Sequence, residues 1–406
     1  MTTPYQRPPG LPTSRVRLAI LQPTSLCNLN CSYCYVPDRT DSSLMTDEVV
    51  RAGADFVYAI APPDQTTFTF LWHAGEPLAA GLDFYRRAFP IVQDAAAPDH
   101  TIRHSMQTNA TLITQQWCDF FREHTIDFGV SIDGPRHLHD SSRRNWAGRG
   151  SFTRAMKGVS LLRGSGFNPS AICVLTPASL DEPDAIYDFF LDNRFPSVGF
   201  NFEESEGAHA RSRHLDSTEA TVRQKYTRFM EHIWQRWRTD QGRLRIREFE
   251  RELTSILQFQ RDPAFVATPD EAIPFVNIAI RRDGGISTFS PELASTASAE
   301  YADFVIGNVL TDTPATVAAS PALRRLHADV ELGRTACKHR CAYYALCGGG
   351  FQSNRYAEHG TLTATRTSTC QVQRIALTDM VVTKLATISA QQDLLLAATS
   401  RSDDAT

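Results

Sequence analysis

The sequence predicts an α/β protein, with a parallel sheet flanked by helices as a partial barrel or an open sheet, and a smaller C-terminal unit after it. Three observations predict this. Six strand-like segments alternate with amphipathic helix-like segments between residues 16 and 235, the pattern of repeated β-α units. Several polar runs fall directly after the strand candidates, where such folds bind ligands. Beyond residue 275 the pattern changes to a short β alternation and a late group of cysteines.

Taken in order, the strand candidates are Val16–Leu21, Thr67–Trp72, Thr101–Thr108, Asp127–Ile132, Ser170–Leu175 and Ser197–Phe202. Each is short and rich in β-branched, aromatic or aliphatic residues. Between them lie helix candidates at Thr46–Ala61, Gly81–Ala96, Thr114–His124, Phe152–Gly164 and Pro183–Asn193. Residues 217–260 read as helical, with Trp234 and Trp237 among many Arg and Glu, and are expected to bridge two units. Val276–Ile280 then turns at Asp283-Gly284-Gly285 into Ile286–Phe289, a hairpin expected to open the second unit. A last helix is expected over Val372–Ile388, and the terminal residues Arg401–Thr406 are expected to fray.

Bulk properties narrow the function. A chain of 406 residues with 42% apolar side chains can bury a sizeable core. A net charge of −4 provides no general attraction to nucleic acid or to an anionic membrane. No segment approaches the roughly 18–20 apolar residues of a membrane span. The Pro-rich start, residues 1–15, reads as a flexible arm rather than a signal peptide, so the cytoplasm is the expected location.

Nine cysteines need explaining, and in a reducing compartment clustered thiols point to metals or catalysis rather than disulfides. Cys118 and Cys173 lie in apolar runs and read as buried small side chains. Cys27, Cys31 and Cys34 sit at offsets four and three directly after the first strand. Thiolates favour zinc, copper(I) or iron–sulfur clusters. A cubane cluster takes four protein ligands, so three thiolates leave one iron open to another ligand. Cys337, Cys341, Cys347 and Cys370 form the late group, enough to close one cluster or to hold a structural zinc.

The run Cys27-Asn28-Leu29-Asn30-Cys31-Ser32-Tyr33-Cys34 resembles the CxxxCxxC loop of radical S-adenosylmethionine (SAM) enzymes. Further matches follow in that family's order. Trp72-His73-Ala74-Gly75-Glu76-Pro77 resembles its GGEP motif, with Ala74 replacing the first glycine. Gln107-Thr108-Asn109 resembles QTNG, with Ala110 replacing the glycine. Ser131-Ile132-Asp133-Gly134-Pro135 resembles SLDGP, and His139-Asp140-Ser141-Ser142-Arg143 matches HDxxR. The resemblance implies a partial (β/α)6 TIM-like barrel holding a [4Fe–4S] cluster with an open iron site and SAM. It assigns Tyr33, His73, Gly75, Glu76, Gln107, Asn109, Ser131 and Arg143 to the cofactor pocket. Glu76 would face the methionine ammonium, Ser131 and Arg143 its carboxylate, and Tyr33 the adenine through its backbone. Arg144 is a neighbouring alternative to Arg143.

Cys337-x3-Cys341-x5-Cys347-Gly348-Gly349-Gly350 with Cys370 resembles the SPASM extension, which binds auxiliary iron–sulfur clusters. Phe351 stands where that pattern has another cysteine, and no early cysteine lies near Phe289-Ser290. One auxiliary [4Fe–4S] cluster in a small C-terminal α+β domain is therefore expected. The implied organisation is a core over 16–235, a helical bridge over 236–275, a SPASM-like domain over 276–388, and a tail over 389–406.

The phrases Leu21–Ser25, Tyr35–Arg39, Gly199–Gly207 and Thr288–Leu293 resemble the cyclophane-forming peptide maturases of the GrrM/OscB group. That resemblance implies a ribosomally made precursor peptide as substrate, an aromatic ring joined to a nearby side-chain carbon, and an external electron donor such as flavodoxin or ferredoxin. Restoring the ring asks for an electron acceptor and a base. Glu203, Glu204 and Glu206 are candidate bases, because neighbouring carboxylates raise one another's pKa; a solvated acidic turn is their plainer reading. Asp283 is a second candidate, with turn formation as its plainer role. Two rival functions stand beside this one: a sulfatase-maturase-like dehydrogenase forming formylglycine, and a non-catalytic metal-cluster scaffold.

Overall fold

The structure is a computed structural model and describes residues 14–388. Most of the expected N-terminal arm and the whole expected tail lie outside the described residues. Six strands carry the core: β1 (Leu18–Leu21), β2 (Thr67–Trp72), β3 (Thr101–Thr108), β4 (Ile126–Ser131), β5 (Ser170–Leu175) and β6 (Ser197–Phe202). Each pairs in parallel with the next. Helices Asp47–Ile60, Leu82–Asp94, Gln115–Phe121, Phe152–Gly164 and Pro183–Asp192 fall where the amphipathic stretches predicted them.

Local chemistry sets these helices. Thr46 and Thr114 each cap a helix start by accepting a hydrogen bond from the backbone N–H three residues on, satisfying an otherwise orphaned donor. Asp47 and Glu48 in the first turn favour the positive end of the helix dipole. On the packed side, Trp72 from β2 stacks on Phe89 and meets Tyr85 edge-on. All three are at most 1% exposed, and burying each side chain contributes about 1.5–3 kcal/mol.

The sheet runs further than the six units. Its ten strands lie in the linear order β10-β9-β8-β1-β2-β3-β4-β5-β6-β7, with β7 (Arg245–Ile246), β8 (Asn277–Ile280), β9 (Gly285–Thr288) and β10 (Gly307–Asn308). The order is open, so the six parallel units form an incomplete barrel. Residues 217–260 are two helices, Glu219–Thr239 and Arg247–Arg261, interrupted by β7 on the far edge. The hairpin expected to open a second unit is β8–β9, and it does not stand apart. β8 pairs in parallel with β1 over four residues, Leu18 opposite Asn277 through Leu21 opposite Ile280. Ile280, Ile278 and Ile286 are fully buried in the main core, and this burial draws the hairpin onto β1.

The C-terminal part is helical: Pro321–Arg340, Tyr344–Cys347, Gln352–His359, and residues 368–388 with a π turn at Cys370–Ile375. Single π turns inside helices are frequent at functional sites. Among the described residues no helix is long and apolar enough to cross a membrane.

Candidate functional site

The carboxyl ends of β1 to β6 carry the site. After β1 the chain enters the loop of Cys27, Cys31 and Cys34, all free thiols. Burial, then the charge of Glu76 and of the other two thiols, pushes Cys27 up to about 12. Burial also raises Cys31, to about 11. Three clustered thiols are a donor set that fits a metal cluster, and binding one would release their protons. The Leu29 N–H points at Cys27 Sγ at 3.4 Å, a donor suited to a thiolate.

The motif after β2 is pinned to this loop. The Glu76 N–H donates to the Leu26 carbonyl at 2.8 Å. Gly75 has φ +56°, and a Cβ there would lie 2.6 Å from the Leu26 oxygen; only glycine permits this approach. Glu76 is 1% exposed. Its carboxylate accepts from the Thr108 hydroxyl at 2.6 Å and the Asn109 N–H at 2.8 Å. Burial still raises its pKa to about 7 against these bonds. Asn109 donates to Asn28 at 2.9 Å, tying the end of β3 to the cysteine loop. Gln107 donates to the Ser131 hydroxyl at 2.9 Å, linking β3 to β4. His73 stacks against Tyr35, and its Nδ1 is buried without a partner. Burial lowers its pKa to about 4, so the ring is neutral.

Arg143 departs from expectation. Its Nε and Nη2 donate to both oxygens of Asp133 at 2.9 and 3.0 Å, and both residues are buried. The fork expected to face a carboxylate of the ligand is thus closed on a carboxylate of the protein. Asp133 also accepts from the Val174 N–H and the Tyr33 hydroxyl, whose ring lies under the Arg143 guanidinium. Arg144 donates from its Nε to the Asp140 carbonyl and is exposed.

The four candidate bases separate sharply. Glu203 is locked by His209 at 3.2 Å and by Arg213, whose N–H groups reach it at 2.9 to 3.1 Å, leaving no free oxygen for base chemistry. Asp283 is exposed, pairs with Arg281 and accepts the Gly285 N–H; it forms the turn. Glu204 accepts from Asn354 and Gln373, each at 2.6 Å, and burial raises its pKa to about 7. Glu206 is raised well above the carboxylate range by burial, then by Glu204 and Glu292. Glu292, in the phrase after β9, is raised too, mainly by burial.

The late thiols come from four places: the end of Pro321–Arg340, the residue after it, the short helix, and the π turn. Cys337, Cys341, Cys347 and Cys370 line one pocket. Burial and the other three thiols push Cys370 up to about 12. Among the described residues no group of three or more His, Cys, Asp or Glu is arranged to hold a metal ion; four thiols lining one pocket are the donor set that a cubane cluster takes. Phe351 lines the same pocket under the Arg374 guanidinium. Asn354 and Gln373 line it as well, so Glu204 is one side chain away from it. Cys118 and Cys173 are fully buried in the core, as expected.

Residues that sequence reasoning left without a role are Asp133, Glu292, Asn354, Gln373 and Arg355. Asp133 and Glu292 lie inside runs already quoted, and only their pairing across the fold reveals their partners.

The model of the radical SAM superfamily matches residues 21–190. An uncharacterised protein of Synechocystis sp. is 39% identical over 365 residues, covering 88% of this chain and 90% of that protein. A serine-type anaerobic sulfatase-maturating enzyme of Bacteroides thetaiotaomicron is 28% identical over 354 residues, 82% of this chain and 81% of the relative. Among solved structures, native anSMEcpe with bound AdoMet matches with a TM-score of 0.74 at 20% identity, over 92% of this chain and 99% of that one. Streptococcus suis SuiB bound to its precursor peptide SuiA matches with a TM-score of 0.63 at 16% identity, over 88% and 76%. These structural likenesses establish the fold.

Proposed function

The chain belongs to the radical SAM superfamily, and from that premise we propose that it oxidatively modifies a peptide, joining an aromatic ring to a nearby side-chain carbon. Cys27, Cys31 and Cys34 hold a [4Fe–4S] cluster, and Cys337, Cys341, Cys347 and Cys370 hold a second. When bound, the first cluster would supply the electron for reductive cleavage of SAM.

The chain's own residues do the rest. Glu76 holds the methionine ammonium by a charge-assisted contact, its carboxylate already aimed by Thr108 and Asn109. Ser131, oriented by Gln107, offers a hydroxyl to the methionine carboxylate. The Asp133–Arg143 pair braces Tyr33 in the cysteine loop rather than presenting an open fork. Removing one electron and one proton from the substrate needs an acceptor for each. The observation that carries the reading is Glu204, hydrogen-bonded to Asn354 and Gln373, which both line the four-thiol pocket. Burial raises Glu204 to about 7, so it can accept a proton near neutral pH, and Glu206 beside it is raised as well. The Thr288–Leu293 phrase, and the lack of further cysteines at Phe351 and near Phe289-Ser290, favour ring joining over dehydrogenation. An external flavodoxin or ferredoxin supplies the electron for SAM cleavage.

Relatives named as anaerobic sulfatase-maturating enzymes favour a second reading, oxidation of a Ser or Cys to formylglycine. One experiment separates the two. The reconstituted chain is incubated with SAM, reductant and a short peptide encoded beside it that carries three-residue aromatic motifs. Ring joining removes two hydrogens per motif and leaves a product that hydrazide reagents do not capture. A captured aldehyde would replace ring joining with formylglycine formation.

A further inference from the structure

Arg355 lies in the helix Gln352–His359 and is 3% exposed. Its Nη2 donates to Cys337 Sγ at 3.3 Å and to the Gly349 carbonyl. Its Nη1 donates to the Leu362 carbonyl at 3.2 Å and to Gln352 at 3.4 Å. Its hydrogen-bond partners among the described residues are two carbonyls, an amide and a thiol, with no carboxylate among them. A buried cation without a counter-ion is costly, and the groups beside it that become anions when a cluster binds are the thiols of Cys337, Cys347 and Cys370.

The fold makes room for this cation. Gly333 sits in mid-helix, where glycine is disfavoured relative to alanine. A Cβ at Gly333 would lie 2.2 Å from Arg355 Nη1 and 2.5 Å from the Leu362 oxygen. The glycine therefore clears the place where the guanidinium meets both its carbonyl and the pocket. The four carbonyl, amide and thiol contacts fix the fork in orientation as well as in position.

We infer that Arg355 is a positioning residue of the late thiol group, which holds Cys337 by an N–H to sulfur bond and raises the affinity of the bound cluster for an electron. The inference rests on reading that group as an iron–sulfur site. Hydrogen bonds to cluster sulfurs and local charge set reduction potentials. One-electron reduction adds one negative charge to the cluster and its four thiolates, with no bond made or broken. A fixed cation 3.3 Å from one sulfur favours the more negative, reduced state. Such a bias suits a cluster that receives an electron from the substrate.

The test uses the full chain with Cys27, Cys31 and Cys34 replaced by Ala, so that the late thiols hold the remaining iron. Iron is counted and the midpoint potential is read by electron paramagnetic resonance during a redox titration. Arg355→Gln is expected to keep its iron and to lower electron affinity at least tenfold, about 59 mV for a one-electron couple. An unchanged potential with iron retained overturns the inference and leaves the cluster reading standing. If Arg355→Gln loads no iron, Arg355→Lys decides, since it keeps the charge and loses the fork. A smaller fall in potential supports the inference; an unchanged potential or failure to load overturns it. Zinc without a redox couple in the unsubstituted late group overturns the cluster reading itself.

Discussion

The two thiol groups treat a buried arginine in opposite ways. Beside Cys27, Cys31 and Cys34, Arg143 is closed on Asp133 through two bonds. Beside the late four, Arg355 has no carboxylate partner among the described residues and donates to a cysteine sulfur. At the first group the protein neutralises its own charge and leaves the open coordination position to the ligand. At the second, the thiols are complete and the protein's charge is left to act on them. The pair of arrangements suits two different tasks, making a radical and receiving an electron.

The largest expected effect separates those tasks by cysteine. Cys34→Ala should abolish 5′-deoxyadenosine formation, whereas Cys347→Ala should keep it and lose the peptide product. Chromatography of both products checks this, and equal loss in the two variants would erase the distinction. Next in size, Asp133→Asn leaves Arg143 buried without its counter-ion and should destabilise the fold by about 3–5 kcal/mol. Denaturant unfolding reads this, and a change near zero would mean that the pair does not hold the first group together.

Glu76 gives a smaller, pH-dependent effect. Its carboxyl holds a proton to about pH 7 in the fold and loses it near the ordinary carboxylate value when unfolded. The fold before SAM addition should therefore lose stability as pH rises through that window, by at most about 1.4 kcal/mol per unit. Thermal unfolding of Glu76→Gln should show a flatter profile, and superimposable profiles would refute the assignment. The smallest effect concerns Ala74, which stands at φ +76° where the family motif has glycine. Ala74→Gly should relieve left-handed strain and stabilise the chain by about 0.5 kcal/mol. A loss of stability would show that the alanine side chain packs better than the strain it imposes.

The sequence made the six parallel strands legible because each has its own local pattern and follows its predecessor. Thr67–Trp72 and Ser170–Leu175 match their expected bounds residue for residue. The pairing of Leu18 with Asn277 was not legible, since no local signal links residues so far apart. The same reason hid the site's closures. Asp133 was visible in its motif, but its capture of Arg143 depends on how β4 meets the following helix. Glu203, Glu204 and Glu206 read alike in sequence; only Arg213 on one side and Asn354 on the other separate a locked ion pair from a titrating one. Phe351 was legible as a missing thiol, whereas Arg355, four residues on, acquires meaning only from the sulfur it touches.

The central claim is that the chain carries two clusters, one open and one closed. Anaerobic reconstitution followed by iron and sulfide quantitation tests it most directly. About eight irons per chain are expected, falling to about four when Cys337, Cys341, Cys347 and Cys370 are replaced by Ala. About four irons in the unsubstituted chain, with zinc or nothing on the late thiols, would contradict it.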